Sequence, residues 1–210
     1  MDKAELIKTK AIRWLLRGNL NFNKSKDAIA TEVLFSANRR KADLLIISNK
    51  THTLEIKSDS DDPRKLKMQL NDYHNTFDKV SVITTIKNVN KIKNIITQNT
   101  GLILFNNDKF KVIKIARLNK KLDKRSLLIF LPKIELLSLC TSRNIRKLST
   151  DEIREKLSHQ LTTSKIRTAA YSYLKKRYYK LFRLLLRDTE GKIVWDDLRG
   201  LCGIIDKLYV

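Results

Sequence analysis

The chain has 210 residues, and its 44 Lys and Arg against 22 Asp and Glu give a formal net charge of +22. An apolar content of 42% with only 5 Gly and 2 Pro excludes a disordered or collagen-like chain. No run reaches the roughly 18 consecutive apolar residues of a membrane helix, and so high a charge points to a polyanion, nucleic acid ahead of an anionic membrane surface.

Apolar residues Ala4, Ile7, Ala11 and Leu15 recur at helical spacing, so a first helix is expected over residues 3–17, ending near Gly18. A second short helix is expected over residues 26–35. Residues 42–47 read as a strand, 48–52 as a turn, and 53–57 as the paired strand. Asp62 is a natural N-cap and Pro63 a natural first helical residue, which predicts a helix over 63–75. A third strand follows at 80–85, a helix near 89–98, and a hairpin of 102–105 with 110–115. Thereafter the pattern is helical. Ser149 and Glu152 have capping-box spacing and open a helix to about 160, and a longer helix covers about 164–187.

The informative stretch runs from Glu32 to Tyr73. On a strand Glu55 and Lys57 share one face, while Leu54 and Ile56 point into the core. Asp43 lies on the preceding strand, and a hairpin of that length brings it beside Glu55. Two carboxylates so close repel unless a cation lies between them. A hard divalent ion suits such oxygen ligands: Mg²⁺, with Mn²⁺ as substitute. It would polarise a phosphoryl oxygen and activate a bound water, and Lys57 would position that water or offset developing charge. Arg40 and Lys41 flank Asp43, either as phosphate contacts or as charges that balance the acids. Asp59, Asp61 and Asp62 read chiefly as a solvated loop with a helix cap. The isolated His52, His74 and His159 lack zinc spacing, and neither a nucleophile–His–Asp motif nor a Gly-rich phosphate loop occurs.

These residues resemble the PD-(D/E)XK nuclease superfamily: Asp43, a spacer of 11 residues, then Glu55-Ile56-Lys57 in a strand–turn–strand context. Gln69 and Tyr73, four apart on the next helix, look like the Q-x-x-x-Y element of RecB-like and Cas4-like members. The resemblance covers about residues 5–115, with Ala42 in place of the motif's Pro. It implies an α/β fold with a restriction-endonuclease-like mixed β-sheet core flanked by helices, metal-dependent hydrolysis of DNA, and a metal-associated role for Glu32. Glu32, Asp43 and Glu55 would then hold Mg²⁺, and Gln69 and Tyr73 would orient the site or the strand. The alternative is a nucleic-acid-binding protein on the same fold without cleavage, such as a phage or defence-related regulator.

The positive charge is concentrated late. Residues 1–110 hold 20 basic and 12 acidic residues, residues 111–187 hold 21 and 5, and the last 23 hold 3 and 5. Pattern and charge together put a nuclease-like domain at residues 1–116 and a helical basic extension at 117–210. Within the long helix Tyr171, Leu174, Tyr178, Leu181 and Leu185 line one face. Lys176, Lys180, Arg183 and Arg187 line the other, as a stripe for the phosphate backbone; Arg40 is the candidate contact in the first half. The tail from Ile193 to Leu208 either packs back on the domain or forms a homo-oligomer interface. Cys140 and Cys202 read as small buried hydrophobes in a reducing compartment. The charged N-terminus, with no long apolar run after it, reads as no signal peptide, so the cytoplasm is the expected location.

Overall fold

Six strands form one sheet in chain order: β1 (Ala28–Phe35), β2 (Arg40–Ile47), β3 (Thr51–Lys57), β4 (Lys79–Thr85), β5 (Gly101–Asn106) and β6 (Lys109–Lys114). Pairing is antiparallel for β1–β2, β2–β3 and β5–β6, and parallel for β3–β4 and β4–β5. This is a computed structural model, and it describes residues 3–36, 40–140 and 147–202. Parallel neighbours need a crossover, and helices α2 (Leu66–Thr76) and α3 (Ile86–Ile95) supply them. The remaining helices are α1 (Lys3–Leu16), α4 (Lys124–Leu128), α5 (Lys133–Ser138), α6 (Thr150–Gln160) and α7 (Thr163–Asp188). The fold is therefore α/β, a mixed sheet flanked by helices with a helical, basic C-terminal part.

Local chemistry explains several boundaries. The Asp62 carboxylate accepts from the Arg64 N–H, and a 3-10 turn over Pro63–Lys65 leads into α2, three residues later than expected. Ser149 and Glu152 form a reciprocal capping box on α6. Gly101 begins β5 where a Cβ would lie 2.3 Å from the Ser81 hydroxyl and 2.9 Å from the Ala116 nitrogen, so only glycine fits.

Two expectations are corrected. Residues 28–35 form strand β1, not a helix, so Glu32 is a strand residue. Ala28, Ile29, Ala30, Val33 and Phe35 are all buried; a strand covered on both faces loses the period-of-two pattern that identifies strands. Cys140 and Cys202 are half-buried rather than buried.

One apolar core joins both halves of the chain. Ile7 and Leu15 of α1, the sheet residues, Ile153 and Leu157 of α6, and Ile166, Leu174 and Phe182 of α7 belong to a single cluster. The residues on either side of the boundary expected at 116/117 thus pack together, and α7 lies against β1 and β2. Asp78, fully buried at the start of β4, ties α7 to the sheet. Its carboxylate accepts from the Thr51 N–H at 2.8 Å and the Tyr171 hydroxyl at 2.7 Å, and pairs with Arg167 at 2.8 Å. Burial and the Asp78 charge hold the Tyr171 phenol above its usual range. The tail packs back as far as residue 202, with Ile193, Leu198 and Leu201 buried and the Thr31 hydroxyl donating to the Leu198 carbonyl at 3.2 Å. The rest of the tail, to Leu208, lies outside the described residues. Among the described residues no helix is long and apolar enough to cross a membrane.

Candidate active site

The register of the first three strands sets three carboxylates in a row. Leu44 pairs with Leu54, so Asp43 and Glu55 are the next opposed positions on β2 and β3. Thr31 pairs with Leu44 and Val33 with Ala42, which brackets Glu32 opposite Asp43. Directly opposed residues share a face. Glu32 interrupts the β1–β2 ladder and has a left-handed backbone, φ 51°. That conformation costs a non-glycine residue roughly 1–2 kcal/mol, and such strain tends to collect at functional sites.

Each acid already has a partner. Asp43 Oδ2 accepts from the Ile56 N–H at 2.7 Å, which locks the aspartate to the strand carrying Glu55. Lys57 Nζ lies 2.7 Å from Glu55 Oε1, and the Tyr73 hydroxyl donates to Glu55 Oε2. The same hydroxyl lies 3.1 Å from the Lys41 carbonyl, so Tyr73 joins α2, β2 and β3 at the acid. Glu32 pairs with Lys8 of α1. Both faces of β3 are covered, leaving Glu55 only 3% and Lys57 8% exposed. The pair is thus part of the interior and not a solvated hairpin face.

Electrostatics follow from this burial. Desolvation first, and then the Glu55 charge, raise the Asp43 pKa well above the carboxylate range, against the opposing effects of Lys8 and the Ile56 N–H. Burial and the charge of Glu55 also push the Tyr73 phenol up. Burial works to lower the Lys8 pKa, but Asp43 and Glu32 outweigh it and the pKa is raised. Lys8 is the site residue that the sequence does not reveal: it lies 24 positions before Glu32, on a helix with an ordinary amphipathic pattern.

In donor chemistry the cluster fits a hard divalent cation. Carboxylate oxygens are the ligands such an ion takes, and a cation between Asp43 and Glu55 would relieve the repulsion that now favours protonated Asp43. Among the described residues, however, no three His, Cys, Asp or Glu side chains converge on one metal position. Lys8 holds Glu32, while Lys57 and Tyr73 hold Glu55. Gln69 lies one turn before Tyr73 on α2, and its side-chain oxygen is buried without a hydrogen-bond partner.

Other candidates are placed as follows. Arg40 pairs with Asp72 of α2, so its charge is engaged within the fold. Asp59 pairs with Lys3 and accepts from the Thr85 hydroxyl, Asp61 accepts from the Ser58 N–H at 2.7 Å, and Asp62 caps the turn before α2. These are the loop and cap contacts expected of them. His52 bonds the Ser81 hydroxyl at 2.9 Å and His74 the Thr100 hydroxyl at 2.8 Å, and burial lowers both pKa values, that of His52 to about 3.

The basic stripe of α7 is real. Lys176, Lys180, Arg183 and Arg187 are all exposed, and Tyr171, Leu174 and Tyr178 are buried on the other side. The apolar face differs in its last turns, where Phe182 is fully buried and Leu181 and Leu185 are only partly covered.

An α/β sheet with a buried carboxylate–lysine cluster and a basic helix thus defines the molecule. The chain belongs to the family described as Bacteriophage P4 protein cII, which it matches over residues 2–202. It is 29% identical over 180 residues to Protein cII of Enterobacteria phage P4, covering 82% of this chain and 67% of the phage protein. A solved structure, the SPO1766 protein of unknown function from Silicibacter pomeroyi, aligns with a TM-score of 0.43 and 14% identity over 91% of this chain and 95% of that one.

Proposed function

We propose that this protein is a Mg²⁺-dependent nuclease of the PD-(D/E)XK type that hydrolyses phosphodiester bonds in DNA, with Mn²⁺ able to substitute. The observation that carries the reading is the pairing of Asp43 with the strand bearing Glu55, with Lys57 2.7 Å from the Glu55 carboxylate. Asp43 and Glu55 would hold the ion, with Glu32 in the same row as the third oxygen donor. The bound ion supplies polarisation of a phosphoryl oxygen and a lowered pKa for the attacking water. Lys57 orients that water or offsets charge on the phosphate. Tyr73 fixes Glu55, and Gln69, with its unpartnered oxygen, has capacity to contact the site or the strand. Lys176, Lys180, Arg183 and Arg187 hold the backbone without reading sequence. The cytoplasm is the proposed location, since Cys140 and Cys202 are both unpaired.

One observation favours a second reading, binding of nucleic acid without cleavage. Lys8 already neutralises Glu32 and raises the cost of bringing that acid to a metal. Purified protein incubated with plasmid, linear and single-stranded DNA in Mg²⁺ or Mn²⁺ separates the two. Cleavage that Glu55→Ala abolishes while leaving DNA binding intact is the expected result. DNA bound but uncut under every metal would replace the nuclease with the binding protein.

A further inference from the structure

We infer that a cationic pocket between the C-terminal ends of α1 and α7 is a binding site for successive phosphates of one nucleic-acid strand. It has a volume of about 820 Å³ and shares no residue with the carboxylate cluster. Arg13 and Arg17 come from α1 and its end, Lys24 from the following loop, Arg183 and Arg187 from α7, and Lys192 from the segment after it. Glu190 is the lone acid among the lining residues, and Leu16 and Leu186 add apolar surface. The site rests on the reading of the protein as one that binds nucleic acid, and not on cleavage.

Three features separate this pocket from a merely solvated basic surface. The first is preorganisation. Arg13 Nε donates to the Ile193 carbonyl at 2.7 Å, and Arg183 Nη1 to the Lys24 carbonyl at 3.1 Å. Each guanidinium is therefore anchored by one N–H and keeps others for a ligand, since it carries five. The Tyr179 hydroxyl donates to the Ser25 carbonyl at 2.7 Å and pins the same loop to α7. The second is unspent charge. Among the described residues Arg17, Lys24 and Lys192 make no ion pair, and all six cations are exposed. Crowding like charges opposes folding. Helix dipoles offset this for Arg13 and Arg187, which lie in the last turns of their helices. They do not account for Lys24 or Lys192, which are on loops.

The third feature is composition. Four of the six cations are arginines, whose planar fork matches phosphate oxygens in pairs. Apolar Leu16 and Leu186 beside them offer contact for sugar or base, which an inorganic polyanion would leave unused. Arg183 and Arg187 also end the exposed stripe of α7, so the pocket continues the track set by Lys176 and Lys180 and closes it with a concave end.

The test is the affinity of the full chain for a labelled single-stranded oligonucleotide, measured by fluorescence anisotropy over a range of salt. Arg17→Glu with Lys192→Glu should weaken binding about tenfold or more and flatten the log–log salt slope by roughly 1.4, two contacts at about 0.7 each. Arg17→Gln with Lys192→Gln should act in the same direction with a smaller loss. Both variants should melt at the wild-type temperature by circular dichroism, since neither residue pairs within the described fold. Wild-type affinity in the Glu variant would overturn the pocket while leaving nucleic-acid binding through α7 in place. Absence of oligonucleotide binding by the wild-type protein would overturn both. Calorimetry with ATP distinguishes the source of the phosphates. Micromolar ATP binding that the Glu variant loses, with oligonucleotide affinity unchanged, would overturn the strand assignment in favour of a free nucleotide.

Discussion

Around Asp43 and Glu55 each charge has its partner inside the fold: Lys8 for Glu32, Lys57 and Tyr73 for Glu55, the Ile56 N–H for Asp43. Along α7 and in the pocket at its end, cations face solvent, and several have no acid to answer them among the described residues. Buried groups interact at low effective dielectric, so small rearrangements there change pKa values and reactivity. Exposed charges act through their sum and are screened by salt. The net positive charge therefore says little about the first region, where Lys8 and Lys57 nearly balance Glu32, Asp43 and Glu55, and chemistry is to be sought there.

The sharpest way to break the division is at the residue that joins the two regions. Asp78 is fully buried and receives Thr51, Tyr171 and Arg167. Asp78→Ala leaves the buried Thr51 N–H and Tyr171 hydroxyl without their carboxylate acceptor and the part-exposed Arg167 without its acid, and each buried group left unpaired costs about 1–3 kcal/mol. Urea denaturation should show that loss. A fall below about 1 kcal/mol would mean that α7 is held by apolar packing alone.

Next in size is an acid-side effect confined to the buried sheet. The His52 pKa falls to about 3 through burial and then the Lys79 charge. Below the unfolded pKa of about 6.5 the unfolded chain takes up a proton that the folded chain refuses. Stability should therefore fall by about 1.4 kcal/mol per unit as pH drops from about 6.5 toward 3. His52→Gln, which cannot take up a proton, should remove that component of the slope while leaving DNA affinity at neutral pH unchanged. An unaltered acid limb in this variant would assign the slope to other groups.

At the exposed region the expected effects are on binding. Lys180→Glu with Arg183→Glu should reduce DNA affinity about tenfold at low salt. Stability should change by no more than about 0.5 kcal/mol per exposed site. Electrophoretic mobility shifts at two salt concentrations, with a denaturation curve on the same protein, check both. Unchanged affinity would remove α7 from the interface.

The two regions were not equally legible in the sequence. Glu55 and Lys57 stand out because an alternating strand puts them on one face, and a short turn returns the chain to Asp43. Asp62, Ser149 and Glu152 announce helix starts because capping depends on residues one to three positions away. The sequence around Glu32 reads as a helix because β1 is largely covered on both faces and shows no alternation. Lys8 and the pocket are invisible for another reason. The pocket is assembled from α1, the loop at Lys24 and the end of α7, more than 150 positions apart. Nothing local marks Arg17 or Lys24 as neighbours of Lys192.

The smallest expected effect reaches furthest into the chemistry. Burial and the neighbouring Glu55 raise the folded-state pKa of Asp43 above its unfolded value. The folded state thus retains a proton that the unfolded state has released, and this contribution to stability declines as pH rises through the folded pKa. Asn keeps an oxygen to accept the Ile56 N–H and carries no charge. Asp43→Asn should therefore stabilise the metal-free protein at neutral pH, by about 1 kcal/mol, and should lose the decline that begins above the unfolded carboxylate pKa of about 3.9. Mg²⁺ reverses the sign of the comparison. An ion held by Asp43 stabilises the ionised form, so added Mg²⁺ should raise the melting temperature of the wild-type chain and leave that of Asp43→Asn in place. Equal responses to Mg²⁺ in both proteins would mean that Asp43 is not a ligand. The second, non-cleaving reading would then gain over the nuclease.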